Sequence, residues 1–301
     1  MSLANLISGR QRWFALFFFL SLLGGHAFAK SETTDRPKEL VIGLLPGESA
    51  PTVMRLNEPL RAYLEKRLGI PVKLIVGANY AATGEALRFG RLDIAYLGPV
   101  TYILQSRRAR LEPFARPSHA VVGPTFQAVI IVPKDSPAKS LADLKGGEIA
   151  FGDPASTSGT WVPRYQLLDA GLVSGRDYKL RVLGAHDAVA LAVANKKVAA
   201  GGLSMPIYKR LLKEGKLNAE AVRVLAESPA IPEYLWTFRE GLDPAFKEEI
   251  RQAFIHVDDP EALKVFRAEA FIPAVDSDVD RVRIWIDAIR AANPDAIPPA
   301  K

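Results

Sequence analysis

The sequence contains no cysteine. Disulfides, thiolate metal ligands, a cysteine nucleophile and lipid attachment through an N-terminal cysteine are therefore excluded. Histidine is nearly as scarce, with four in 301 residues, which argues against a catalytic zinc centre. No basic stripe interleaved with aromatics suggests nucleic acid. The densest cationic group, Arg107-Arg108-Ala109-Arg110, reads as a solvated helix face. There is no internal repeat and no low-complexity tract, and nothing calls for a cofactor.

What is present is ordinary globular material, 49% hydrophobic and 24% charged, enough apolar mass for two cores. The first 29 residues differ from the rest. Arg10 and Arg12 precede an apolar run from Trp13 to Leu23, followed by Gly24-Gly25 and Ala27-Phe28-Ala29. This is the pattern of a secretory signal with an A-x-A site, cleaved after Ala29. The run is well short of the ~20 residues that span a bilayer, so a freely soluble, periplasmic mature chain is expected, most simply a monomer. Removal of the signal takes away two arginines and no acid, lowering the formal net charge from +6 to +4. A mild positive balance suits an anionic ligand.

Past the signal, strands and helices alternate. Leu40 to Leu45 is an apolar strand, Pro51 to Leu68 a helix, Val72 to Val76 a strand, Ala81 to Phe89 a helix, and Arg91 to Tyr96 a strand closed by Gly98-Pro99. That is the βαβ rhythm of a parallel sheet. The apolar run Gln127 to Val132 reads as a crossing into a second α/β unit. Ser228-Pro229-Ala230-Ile231-Pro232 reads as the return. The expected architecture is two α/β lobes joined by a two-strand hinge, with lobe one at 38–130 and 233–301 and lobe two at 131–232. A ligand would sit in the cleft, at strand carboxyl ends and helix N-termini.

The most informative stretch is Phe151-Gly152-Asp153-Pro154-Ala155-Ser156-Thr157-Ser158-Gly159-Thr160-Trp161-Val162-Pro163. Three consecutive hydroxyls at a helix start offer donors beside unpaired backbone N–H groups, where the helix dipole favours an anion. Any one of them alone would more often be an N-cap. At Gly184-Ala185-His186-Asp187-Ala188 a histidine stands at a second strand-to-helix junction and can donate to an anionic oxygen. In lobe one, Tyr80 opens a helix and Tyr96 ends a strand. Their phenols can close the cage from the opposite side, or both can be packing residues. His119 and His256 have no such context.

These segments resemble the periplasmic binding proteins of phosphonate and phosphite importers, most closely the phosphite-binding branch. The resemblance covers nearly all of the mature chain. It is carried by Tyr80 with Glu85 through Pro99, by Gly152-Asp153 through Ser158, by His186-Asp187-Ala188-Val189-Ala190 and by Ala200-Gly201-Gly202-Leu203-Ser204. It implies a type II periplasmic-binding-protein fold, a cytoplasmic-membrane ABC permease as partner, and no catalysis. It further implies an oxyanion held by Ser156, Thr157, Ser158, His186, Tyr80 and Tyr96, with Gly159, Ser204 and Glu233 as weaker candidates. Relatives that bind aminoalkylphosphonates place carboxylates in the pocket, whereas Gly202-Leu203-Ser204-Met205-Pro206 carries none. Phosphite is therefore the expected ligand, with methylphosphonate, other phosphonates or phosphate next. Glu233 is the one acid placed to overturn that order. Gly159 departs from relatives that have a further hydroxyl there.

Two other readings compete. A periplasmic serine hydrolase would use Ser156, His186 and Asp187, but no G-x-S-x-G elbow surrounds the serine and adjacent His and Asp rarely align as a triad. A ligand-sensing partner of a membrane kinase would share the fold and the pocket.

Overall fold

The computed structural model describes residues 36–293. The signal assigned to 1–29 and its cleavage site lie outside the described residues. Among the described residues, no helix is long and apolar enough to cross a membrane.

The chain runs β1 (Leu40–Leu44), α1 (Ala50–Leu68), β2 (Val72–Val76), α2 (Tyr80–Arg88), β3 (Ile94–Leu97), α3 (Pro99–Ser106) and β4 (Glu112–Ser118). There follow β5 (Thr125–Phe126), β6 (Ala128–Pro133), β7 (Glu148–Gly152), α4 (Val162–Asp169), β8 (Lys179–Gly184), α5 (His186–Ala194), β9 (Ala200–Ser204), α6 (Met205–Lys213) and β10 (Val222–Glu227). It closes with β11 (Ile231–Pro232), β12 (Leu235–Phe238), α7 (Pro244–Ile255), α8 (Pro260–Lys264), β13 (Ala270–Pro273) and α9 (Asp280–Ala292).

Two mixed sheets form two lobes. The first has the order β13-β4-β12-β3-β1-β2 and the second β10-β6-β9-β7-β8. In the first, β1 lies parallel between β2 and β3, so the chain turns opposite ways on leaving β1 and β3 and opens a crevice at their carboxyl ends. In the second, β7 plays the same part between β8 and β9. Strand β1 is buried at four of its five positions, which explains why it reads as a continuous apolar run. The crossing is shorter than the apolar run that announces it. β6 belongs wholly to the second sheet, whereas the outgoing Thr125–Phe126 and the returning Ile231–Pro232 pair antiparallel as a separate two-residue ribbon.

One apolar cluster belongs to the first lobe and two to the second, while a fourth joins both, from Leu45 and Val100 through Ala155 and Trp161 to Trp285. Helix α9 leaves the first lobe to pack on α4, with Trp285 stacked on Tyr165 at 5.5 Å between ring centroids. The lobes thus meet along their inner faces.

Candidate functional site

Most of the candidate residues stand at or just past the carboxyl end of a parallel strand, whereas Tyr96 lies within β3 and Glu233 just before β12. Gly47 and Glu48 follow β1, Gly98 follows β3, Asp153 to Ser158 follow β7, His186 follows β8, and Ser204 ends β9.

After β7 the chain begins its helix with a widened turn. Thr157–Trp161 is a single π turn, with the Trp161 amide donating to the Ser156 carbonyl at 3.1 Å and the Val162 amide to Thr157 O. Pro163 sits in the first turn of α4, where its missing N–H costs nothing. Turns of this kind recur at functional sites. All three residues of the hydroxyl triplet are at most 1% exposed, but their partners differ. Ser156 Oγ caps the turn by accepting from the Gly159 amide at 3.0 Å. Thr157 Oγ1 accepts from the Val100 amide of the other lobe at 3.0 Å. Because each oxygen accepts in these bonds, each hydroxyl keeps its own proton as a donor, that of Ser156 with the Tyr80 hydroxyl as neighbour. Ser158 Oγ is buried and completes no hydrogen bond of regular geometry.

His186 is 1% exposed. Its Nδ1 accepts from the Ser204 amide at 3.2 Å, so the ring proton resides on Nε2, the atom left to donate. Burial holds its pKa down to about 4, and the ring is neutral near neutral pH. Ser204 therefore acts through its backbone, fixing the tautomer. Asp187, in the first turn of α5, accepts from the Ala188 amide at 2.9 Å and does not back the imidazole. Gly159 is demanded by contact. A Cβ there would lie 2.8 Å from His186 Cε1 and 2.9 Å from Ser156 Oγ, so a further side chain in this position is incompatible with the triplet and histidine as placed.

From the first lobe, Tyr80 is 2% exposed. A Cβ on Gly47 would stand 3.1 Å from its hydroxyl and 3.6 Å from His186 Cδ2, which puts phenol and imidazole on the two sides of one small space. Burial, then the neighbouring Tyr234 and Asp153, raise the Tyr80 phenol well above its ordinary value, keeping it a donor. Tyr96 is placed differently. Its ring packs on Tyr234 (5.1 Å), Trp236 (4.8 Å) and Phe266 (5.1 Å), and among the described residues its hydroxyl bonds none of the triplet.

Tyr234, which sequence reasoning passed over, is a second phenol at the triplet, beside Ser158 as Tyr80 is beside Ser156. Its ring crowds Gly98, where a Cβ would meet Tyr234 Cζ at 3.0 Å and Thr157 Oγ1 at 3.3 Å. Burial and Glu233 push its pKa up to about 12, partly offset by the nearby hydroxyls of Tyr80 and Ser158. Its local sequence, Ile231-Pro232-Glu233-Tyr234, carries no motif. Only the return of the chain beside β3 brings it here.

The acids around the site are committed. Asp153, 6% exposed, accepts from the Ala155 amide at 2.7 Å and from the Tyr80 amide across the cleft at 3.0 Å. Burial raises its pKa against those two bonds. Glu233, 4% exposed, faces His119 Nε2 at 2.8 Å and takes the Tyr234 amide at 3.1 Å. Glu48 pairs with Arg210 of the second lobe. With the bonds of Thr157, Asp153, Thr101 Oγ1 to Ala155 O (3.1 Å) and the His186 amide to Gly47 O (3.0 Å), these contacts hold the lobes together around the candidate residues. Among the described residues no cluster of acids and histidines could hold a metal ion.

The Escherichia coli phosphonates-binding periplasmic protein is 31% identical over 265 residues, covering 86% of this chain and 77% of the relative. A probable ABC transporter phosphite binding protein of Prochlorococcus marinus is 25% identical over 266 residues, covering 81% and 87%. The solved binding protein component of an ABC phosphonate transporter from Pseudomonas aeruginosa superposes with a TM-score of 0.78 at 26% identity, covering 87% of this chain and 90% of that one. Residues 42–279 match the family described as ABC transporter, phosphonate, periplasmic substrate-binding protein, and the chain belongs to that family of type II periplasmic binding proteins.

Proposed function

We propose that this chain captures phosphite and delivers it to an ABC permease. The family is a transport component and not an enzyme, and the placement of Asp187 leaves His186 without the carboxylate that a serine hydrolase needs. Ser158 carries the ligand reading. A buried hydroxyl without a regular hydrogen bond costs free energy unless something completes one, and beside it stands the Tyr234 phenol, with Tyr80 and His186 Nε2 as further neutral donors. Such a set suits a compact oxyanion whose charge is met by hydrogen bonds.

The choice of phosphite rests on what the pocket does not offer. An aminoalkylphosphonate needs a carboxylate for its amine, and Asp153, Glu233 and Glu48 already have partners. The P–H of phosphite needs no hydrogen bond, whereas the extra oxygen of phosphate would be left unmatched. The names of the phosphite- and phosphonate-binding relatives agree with this ligand class. Ser156, Thr157, Ser158, His186, Tyr80 and Tyr234 hold the anion, with Tyr96 supporting Tyr234 from behind. The lobes divide at the β5–β11 ribbon, so β6 goes wholly to the second lobe and the 130/131 boundary drawn from sequence falls inside that strand. The mature protein starts at Lys30, is exported to the periplasm and acts as a monomer.

Calorimetric titration of ligand-stripped mature protein with phosphite, methylphosphonate, aminoethylphosphonate, phosphate and sulfate tests the reading. One-to-one binding led by phosphite is expected. Preference for aminoethylphosphonate would refute the carboxylate argument, and silence toward all five would remove the oxyanion assignment.

A further inference from the structure

His119 sits in the loop that leads out of β4, Glu233 in the segment that leads back into β12, and Arg267 just after α8. The three meet at one point. His119 Nε2 lies 2.8 Å from Glu233 Oε1, and its Nδ1 lies 2.9 Å from the Arg267 carbonyl. Both ring nitrogens therefore face acceptors, and only the doubly protonated ring can donate to each. Arg267 adopts a φ of 55°, a conformation that a non-glycine residue enters at a cost, and this turn presents its carbonyl. The second oxygen of Glu233 accepts from the Tyr234 amide at 3.1 Å, and the Tyr234 ring lies in the pocket.

We propose that His119, as an imidazolium, is a positioning residue for ligand binding. It clamps Glu233, and Glu233 in turn fixes the backbone from which Tyr234 reaches the anion. The proposal rests on the pocket reading above only for the identity of the ligand. His119 touches no ligand. The charged groups that face it are Glu233, which attracts its proton, and the Arg267 guanidinium, 3.8 Å from Glu233 Oε1, which opposes. The hydrogen bond that His119 donates to Glu233 outweighs burial and raises the His119 pKa above its ordinary value. The linkage follows that sign. The clamp is fully present below about pH 6.5, the ordinary histidine value, and is lost as pH rises through the higher folded value.

Two measurements on the full mature chain test this. In ligand-free protein, NMR of labelled imidazole and tyrosine rings, assigned with His119→Gln and Tyr234→Phe, follows both groups from pH 5 to 9. The His119 ring should stay doubly protonated past its ordinary range, and the Tyr234 ring signals should move with the same midpoint. A Tyr234 ring indifferent to that titration overturns the proposal. With phosphite as probe, His119→Gln should weaken binding about 10-fold at pH 6, the scale of one lost charge-assisted hydrogen bond. The ratio to wild type should shrink toward one at high pH, where the ligand's own ionisation cancels. A pH-independent ratio marks a merely structural histidine. If phosphite fails to bind wild type, the ligand assignment falls while the ligand-free coupling still decides the clamp. If His119→Gln fails to fold, the wild-type titration decides alone.

Discussion

Replacing Ser158 by alanine separates binding from folding more cleanly than any other change in the pocket. Ser158 Oγ is buried, completes no hydrogen bond of regular geometry and has only the Tyr234 hydroxyl acting on it, so its removal takes little from the unliganded protein and relieves a desolvated hydroxyl. Stability should stay level or rise by up to ~1 kcal/mol. The liganded protein loses a donor to an anion, worth ~1.5–3 kcal/mol. At 1.4 kcal/mol per factor of ten, the dissociation constant should rise roughly 10- to 150-fold. Ser156→Ala is the natural control, because its hydroxyl caps the turn through the Gly159 amide and its loss costs ~1 kcal/mol of stability. Scanning calorimetry of ligand-stripped protein with titration of phosphite gives both quantities. The reasoning is refuted if Ser158→Ala melts as early as Ser156→Ala while binding within twofold of wild type.

Gly159→Ala forces a Cβ to 2.8 Å from His186 Cε1; overpacking of this kind costs ~1–3 kcal/mol, visible as a lower melting temperature and weaker phosphite binding. Glu48→Gln removes the ion pair with Arg210 that spans the lobes. For a partly exposed pair worth ~0.2–1 kcal/mol, stopped-flow release should quicken by up to about fivefold, and the difference from wild type should shrink in high salt. His186 binds a proton only near pH 4 when folded but near ~6.5 when unfolded, so the unfolded chain takes up more protons between those values. Stability present above pH 6.5 should fall as pH drops toward 4, and His186→Gln should flatten that slope in acid melts.

Much of the fold could be read from local pattern. The buried run Leu40–Leu44 and the glycine and proline punctuation after β3 mark strands by composition alone, and the triplet and His186 stand at strand-to-helix junctions visible in the chain. What escaped depends on distance. β4 is interrupted by Pro113 and Pro117, and β13 has only four residues, so neither shows a strand pattern until its neighbours are in place. Tyr234 enters the pocket only because the return strand lies against β3. Glu233 looked free for an amine because its partner His119 lies 114 residues earlier. The hydroxyl triplet was legible as a set, but its division of labour was not, since Thr157 answers to Val100 in the other lobe.

The widened turn at Thr157–Trp161 makes chain length encode direction. A regular helix start would need one residue fewer to reach the same downstream register, and each residue turns the helix by about 100°. Deleting one residue between 157 and 161 while keeping Trp161 and Arg164 packed would swing the hydroxyls around the axis and out of the cleft. A loop shortened at Gly159 or Thr160 would thus keep every hydroxyl of the triplet, yet be blind to its anion. Among homologous sequences, the count of residues between the end of β7 and the helix proline is therefore a better guide to a working pocket than the presence of serines.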